Sequence, residues 1–157
     1  MDITDLLVPE AVVPALKVQS KKQLLQDLSE RAASLTHLPE RRIFETLVER
    51  ERLGTTGMGQ GIAIPHGRLS GLPKITGLFA RLDPAIGYEA VDDQPVDLVF
   101  LLLAPEDAGA DHLKALARVS RLLRNQAVCE KLRATADAEV LFSLLTESNG
   151  AHASQAA

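Results

Sequence analysis

Val96-Asp97-Leu98-Val99-Phe100-Leu101-Leu102-Leu103, a nearly continuous apolar run bounded by Pro95 and Pro105, decides the class of this chain. A strand that is wet on one face alternates apolar and polar residues, whereas a run apolar at almost every position reads as a strand covered on both faces. Just upstream, residues 75–82 read as a second compact strand, closed by Asp83-Pro84. Val12-Val13-Pro14-Ala15-Leu16 is a shorter apolar segment, and Pro14, which has no N–H, admits it to a sheet only at an edge.

Between and beyond these segments the apolar period changes to that of helices. Ser20-Lys21-Lys22-Gln23 reads as a capping box, and Leu24, Leu28, Ala32 and Leu35 follow at helical spacing, with Leu25 widening the buried face. A helix over about 20–35 follows. His37-Leu38-Pro39 interrupts it, and Ile43, Phe44, Leu47 and Val48 mark a second helix that starts near Pro39 and ends before Gly54. Downstream, Leu113, Leu116, Ala117, Ser120 and Leu123 predict a helix of about 13 residues with Asp111 as its N-cap. Val128 and Leu132, then Val140, Leu141, Leu144 and Leu145, predict two more short helices. Helices and strands interleave, so the fold class is α/β, a sheet layer covered by helices.

At 157 residues the chain fits one domain with a core of its own. Hydrophobic residues at 46% and charged residues at 24% exclude disordered and fibrous classes. Lys and Arg number 17 against 21 Asp and Glu, a net charge of −4, with aromatics at 3% and no Trp. There is no basic excess to draw in phosphate backbones and the composition does not support a stacking platform, so nucleic acid is not an expected partner. The single cysteine, Cys129, excludes an internal disulfide and a Cys-rich zinc site, and reads as a small core residue. The start Met1-Asp2-Ile3-Thr4-Asp5 is acidic where a signal peptide is cationic, and the longest strongly apolar run, 98–104, is too short to span a bilayer. A cytoplasmic protein, not embedded in a membrane, is expected.

One stretch does not read as scaffolding: Arg50-Glu51-Arg52-Leu53-Gly54-Thr55-Thr56-Gly57-Met58-Gly59-Gln60-Gly61-Ile62-Ala63-Ile64-Pro65-His66-Gly67-Arg68. Its glycines let backbone N–H groups come close to an anion, although glycine content alone fits an ordinary helix-to-strand connection equally well. It lacks the Gly-Lys-Ser/Thr ending of a P-loop and the GxGxxG spacing of dinucleotide folds. Pro65 locks φ before His66, and Gly67 removes bulk after it. A lone histidine is more often structural, but one held on such a corner, after a Gly-rich loop and downstream of Arg50 and Arg52, suits a nucleophile or proton carrier, because imidazole is neutral near pH 7 and can accept a group on one ring nitrogen. His37 and His152 have no partner at ligand spacing, and Arg52 and Arg68 read as surface charges. No paired carboxylate or metal-ligand motif accompanies His66, so hydrolase and metalloenzyme readings find no support, and no cofactor or metal is called for.

The segment 51–67 resembles the active-site histidine signature of the enzyme IIA proteins of the fructose/mannitol class of the phosphoenolpyruvate-dependent phosphotransferase system. Carrying the resemblance are the acidic Glu51, a six-residue gap, Met58-Gly59, and Ile62-Ala63-Ile64-Pro65-His66-Gly67. It extends through Asp93-Gln94-Pro95-Val96-Asp97-Leu98, Ala104-Pro105 and His112-Leu113. Within that class the chain is most similar to the stand-alone nitrogen-related enzyme IIA, since it reads as one unfused domain.

The resemblance implies a single α/β domain over 1–148, a mixed sheet flanked by helices, with a flexible tail at 149–157. It implies that His66 carries a phosphoryl group on its tele nitrogen, with Arg50 and His112 beside it. The donor would be a phosphorylated HPr-like carrier, itself charged from phosphoenolpyruvate through an enzyme I. The output would be regulation of target proteins according to phosphorylation state or, alternatively, transfer to the IIB domain of a sugar transporter. A dianionic phosphoryl group would call for donors, and Thr55, Thr56 and the N–H groups of Gly57, Gly59 and Gly61 are the further candidates. His112, in the first turn of its helix, would add the positive end of that helix. An interaction module whose His66 is never phosphorylated is a third reading, against which the intact Arg50, Thr and Gly positions stand.

Overall fold

The apolar run at 96–103 forms the central strand of the sheet. A computed structural model describes the backbone of residues 1–156 and the side chains of residues 1–147. Two 3-10 turns, Ile3–Asp5 and Pro9–Ala11, lead into β1 (Val12–Leu16), α1 (Lys21–Thr36) and α2 (Glu40–Arg52). Three short strands follow, β2 (Gly57–Gly59), β3 (Ile62–Ala63) and β4 (His66–Leu69), and then the long pair β5 (Thr76–Ile86) and β6 (Val96–Pro105). The chain ends in α3 (Ala110–Arg124), α4 (Gln126–Arg133) and α5 (Ala138–Ala156). The tail expected over 149–157, with His152, lies outside the residues described in full.

Strand order is β1-β5-β6-β3-β2, with β4 also paired to β6. The sheet is mixed: β5 and β6 are antiparallel, β1 runs parallel to β5, and β3 and β4 both run parallel to β6. Along β6 every residue from Leu98 to Ala104 is buried, as its two-sided apolar pattern requires. Its one charged residue, Asp97, is matched by Arg133 of α4, whose Nε and Nη2 donate to the two carboxylate oxygens at 2.8 and 2.9 Å. Phe79 and Phe100 face each other across β5 and β6 with ring centroids 6.4 Å apart. Helix α1 packs on α2, α2 on β4, α3 on β6 and α5 on β1, so helices flank the sheet.

The edge position of β1 is the one its proline demands, and the register with β5 shifts between Val13 and Leu16, where Pro14 sits. Three expectations need correction. Strand β5 does not stop at Asp83-Pro84 but runs on to Ile86; its pairing with β6 is irregular between Arg81 and Ile86, so Pro84 falls where no ladder N–H is missed. The N-cap of α3 is Gly109, at φ 58°, and Asp111 sits inside the first turn, where a carboxylate suits the positive helix end. The glycine-rich connection is in part a hairpin: β2 and β3 pair antiparallel around Gln60 and Gly61, both at positive φ (58° and 83°), as a two-residue hairpin turn of the primed kind requires.

Candidate functional site

Three chain segments meet at His66. Strand β4 lies beside the end of β6, pairing His66 with Leu102 and Arg68 with Ala104. Because β6 feeds α3 through a short loop, the first turn of α3 returns His112 to the same place. The last turn of α2 supplies Arg50. Gly67 lets α2 approach closely, since a Cβ there would stand 2.6 Å from the Thr46 methyl group. Arg50, Leu53, His66, Arg68, His112 and Leu113 line an open cleft of about 440 Å³ between these segments.

His66 is half-buried. Its Nδ1 lies 2.8 Å from the Ile64 carbonyl oxygen, which can only accept, so Nδ1 carries the proton and Nε2 keeps its lone pair. Arg50 donates to that Nε2 from Nε at 3.2 Å, and its Nη1 donates to the Gly54 carbonyl at 2.9 Å. Burial, the largest cause, lowers the His66 pKa below 6.5; the Ile64 hydrogen bond opposes the shift, Arg50 adds to it and Glu51 opposes it. The ring is therefore neutral at pH 7, with a nucleophilic nitrogen beside a guanidinium.

His112 is buried, and its ring lies edge-on to that of His66 with centroids 5.7 Å apart. Its Nδ1 accepts from Arg68 Nε at 3.0 Å, while its Nε2 is buried without a hydrogen-bond partner among the described residues. Burial, then the charges of His66 and Arg68, lower the His112 pKa from 6.5. Arg68, read from the sequence as a surface charge, is thus a cleft residue. The signal was its spacing: in a strand, residues two apart share a face, and 66 and 68 are two apart.

The sequence-predicted Arg50, His66 and His112 come together, but Thr55, Thr56, Gly57, Gly59 and Gly61 do not line the cleft. Thr56 is buried, its N–H donating to Glu51 Oε1 at 3.1 Å and its hydroxyl bonded to Glu51 Oε2 and to the Tyr88 hydroxyl. The Gly57 N–H is taken by the Thr55 hydroxyl at 3.1 Å. A Cβ on Gly57 would stand 2.7 Å from that of Ala90, and one on Gly61 2.7 Å from the Asp97 carboxylate, so both glycines are there for close packing. Glu51, the acidic member of the motif, is the hub of this region. Besides Thr56 and Tyr88 it pairs with Lys21 at 2.9 Å, and the Lys21 ammonium lies 4.4 Å from the centre of the Tyr88 ring. Burial, then the Glu51 charge, raise the Tyr88 pKa far above its ordinary value, so its hydroxyl stays protonated.

Comparison with known proteins agrees with this architecture. Residues 5–148 match the phosphoenolpyruvate-dependent sugar phosphotransferase system EIIA 2 family, and the chain belongs to that family. It is 64% identical over 145 residues to the nitrogen regulatory protein of Bradyrhizobium diazoefficiens, covering 92% of this chain and 95% of that one. It is 38% identical over 151 residues to the nitrogen regulatory protein of Escherichia coli, covering 96% and 93% respectively. The crystal structure of the nitrogen regulatory protein IIA-Ntr from Neisseria meningitidis superposes with a TM-score of 0.87 at 37% identity, over 92% of this chain and 99% of that one. Among the described residues no helix is long and apolar enough to cross a membrane.

Both cleft histidines have lowered pKa values, which sets a sign for stability against pH. In the window between their folded values and 6.5 the unfolded chain binds more protons. Their contribution is therefore in place above pH 6.5 and is lost as pH falls through the folded values. Histidine ring NMR titrations should give midpoints below 6.5 for both residues, with urea midpoints falling on acidification through the same window; a midpoint at or above 6.5 for either would contradict the geometry.

Proposed function

We propose that this chain is a phosphoryl carrier of a phosphoenolpyruvate-dependent phosphotransferase system, taking the phosphoryl group on His66 from a phosphohistidine of an HPr-like carrier protein. The observation that carries this reading is the tautomer of His66: Nδ1–H is held by the Ile64 carbonyl, and Nε2 lies in the open cleft against Arg50. The Nε2 lone pair attacks phosphorus, the N–P bond to the donor breaks as the new N–P bond forms, and the donor imidazole leaves with the electron pair. No proton has to move at His66. The ring gains positive character as the bond forms, and the Nδ1–H to Ile64 hydrogen bond strengthens with it. Arg50 keeps its fork beside the transferred group, where its N–H donors can turn from Nε2 to phosphoryl oxygens.

We further infer a regulatory output in the cytoplasm. The names borne by the relatives at 64% and 38% identity support this over transfer to a IIB domain. Phosphorylation adds about two negative charges at one spot in the cleft. Exposed Leu53 and Leu113 stand on the cleft rim, so a partner docking on those apolar side chains must bury the dianion or supply its own cations. A regulatory target then binds one phosphorylation state in preference to the other.

Incubation with phosphoenolpyruvate, enzyme I and the HPr-like carrier should add one acid-labile phosphoryl group to the wild-type chain and none to His66→Ala, read by intact mass. Arg50→Ala should slow the reaction by up to about 100- to 1000-fold, the range for removing one preorganised donor. Persistent phosphorylation of His66→Ala would overturn the assignment. Pull-downs with His66→Ala and with phosphorylated wild type should recover different proteins; recovery of only a IIB component that takes the phosphoryl group would instead support the transport reading.

A further inference from the structure

We propose that Arg68 is a positioning residue that acts through His112, holding that ring in the tautomer with its proton on Nε2 so that His112 meets the phosphoryl group as a hydrogen-bond donor. The inference rests on the phosphocarrier reading of His66. A guanidinium has only donors, so the 3.0 Å contact from Arg68 Nε obliges His112 Nδ1 to accept. The ring proton is then on Nε2, the buried atom that has no partner among the described residues. Buried polar atoms are nearly always paired, and one left unpaired in a cleft calls for an acceptor that is not part of the chain. An oxygen of a phosphoryl group on the neighbouring His66 is such an acceptor.

The guanidinium of Arg68 is itself held. Its Nη1 and Nη2 donate to the carbonyls of Glu106 and Gly109, each at 3.4 Å, in the loop that leads into α3. One side chain on β4 thus ties the strand of His66 to the helix start that carries His112. With the opposite tautomer, His112 would present a lone pair to anionic oxygens, and with a protonated ring its Nδ1–H would face the Arg68 donor. Arg68 disfavours both alternatives.

The test uses the full chain, labelled with 15N-histidine, before phosphorylation. Wild type should show His112 with Nδ1 unprotonated and Nε2 protonated, and Arg68→Met should give Nδ1 partial proton occupancy. Phosphoryl transfer to Arg68→Met should be slower by roughly ten- to a hundredfold, the scale of one hydrogen bond to a charged group. Arg68→Lys, which keeps a cationic donor, should recover part of that loss. In a His112→Ala background, Arg68→Met should change the rate by less than about twofold, since its effect passes through the missing ring. An unchanged His112 signature in Arg68→Met, or equal slowing with and without His112, would overturn the proposal. A wild-type chain that accepted no phosphoryl group would overturn the carrier reading, and this proposal with it, whatever tautomer His112 shows.

Discussion

The hydrogen bond from His66 Nδ1 to the carbonyl of Ile64, 2.8 Å long, is the constraint on which the site depends. It spans two residues and forms only because the chain leaves β3 at Ile64 and rejoins β6 at His66. Pro65 makes that step possible without an unpaired donor, because it has no N–H, while its carbonyl accepts from Leu102 of β6 at 3.0 Å. The Ile64 N–H is satisfied by Thr56 at 3.1 Å. With the Ile64 N–H and the Pro65 carbonyl both paired, the Ile64 carbonyl accepts from the ring, and the tautomer of His66 follows.

What surrounds that corner is arranged to keep two basic side chains in place. Glu51 anchors the end of α2 through Lys21, Thr56 and Tyr88, and a carboxylate this enclosed is tolerable only because its oxygens are matched by donors. Anchoring the turn after α2 also fixes the Gly54 carbonyl, to which Arg50 binds while it faces His66. Across the cleft, Arg68 is tied to the carbonyls before α3 and to His112. Two guanidinium groups, each held by backbone carbonyls, thus stand beside two imidazoles in one cleft, Arg50 against His66 and Arg68 against His112, an arrangement suited to negative charge.

Much of this was legible in the sequence, and the reasons for the rest are physical. The two-sided burial of β6 was plain in its unbroken apolar run, and the edge position of β1 in Pro14. His66 was legible because Pro65 and Gly67 isolate it, and the family resemblance brought Arg50 and His112 to it. The glycines at 57, 59 and 61 were misleading: they read as a backbone cradle for an anion, yet at 57 and 61 they are required by neighbours distant in sequence, Ala90, Asp97 and Arg133, which no local pattern announces. The hydroxyl of Thr56 is likewise spent on Glu51, five residues away, and on Tyr88, 32 residues away. The role of Arg68 is hidden in the sequence because β4 has only four residues, too few for its alternation to register as a strand. The end of β5 is not legible because an irregularity in its pairing absorbs Pro84, which by local rules marks a stop.

The central claim is that Nε2 of His66, and no other atom, bonds to phosphorus, because Nδ1 is committed to the Ile64 carbonyl. It is tested most directly by 31P–15N correlation NMR on the phosphorylated chain labelled with 15N-histidine. One-bond coupling of phosphorus to Nε2 of His66 is expected, with Nδ1 of the same ring still carrying its proton. Coupling to Nδ1 of His66, or to a nitrogen of any other histidine, would contradict it.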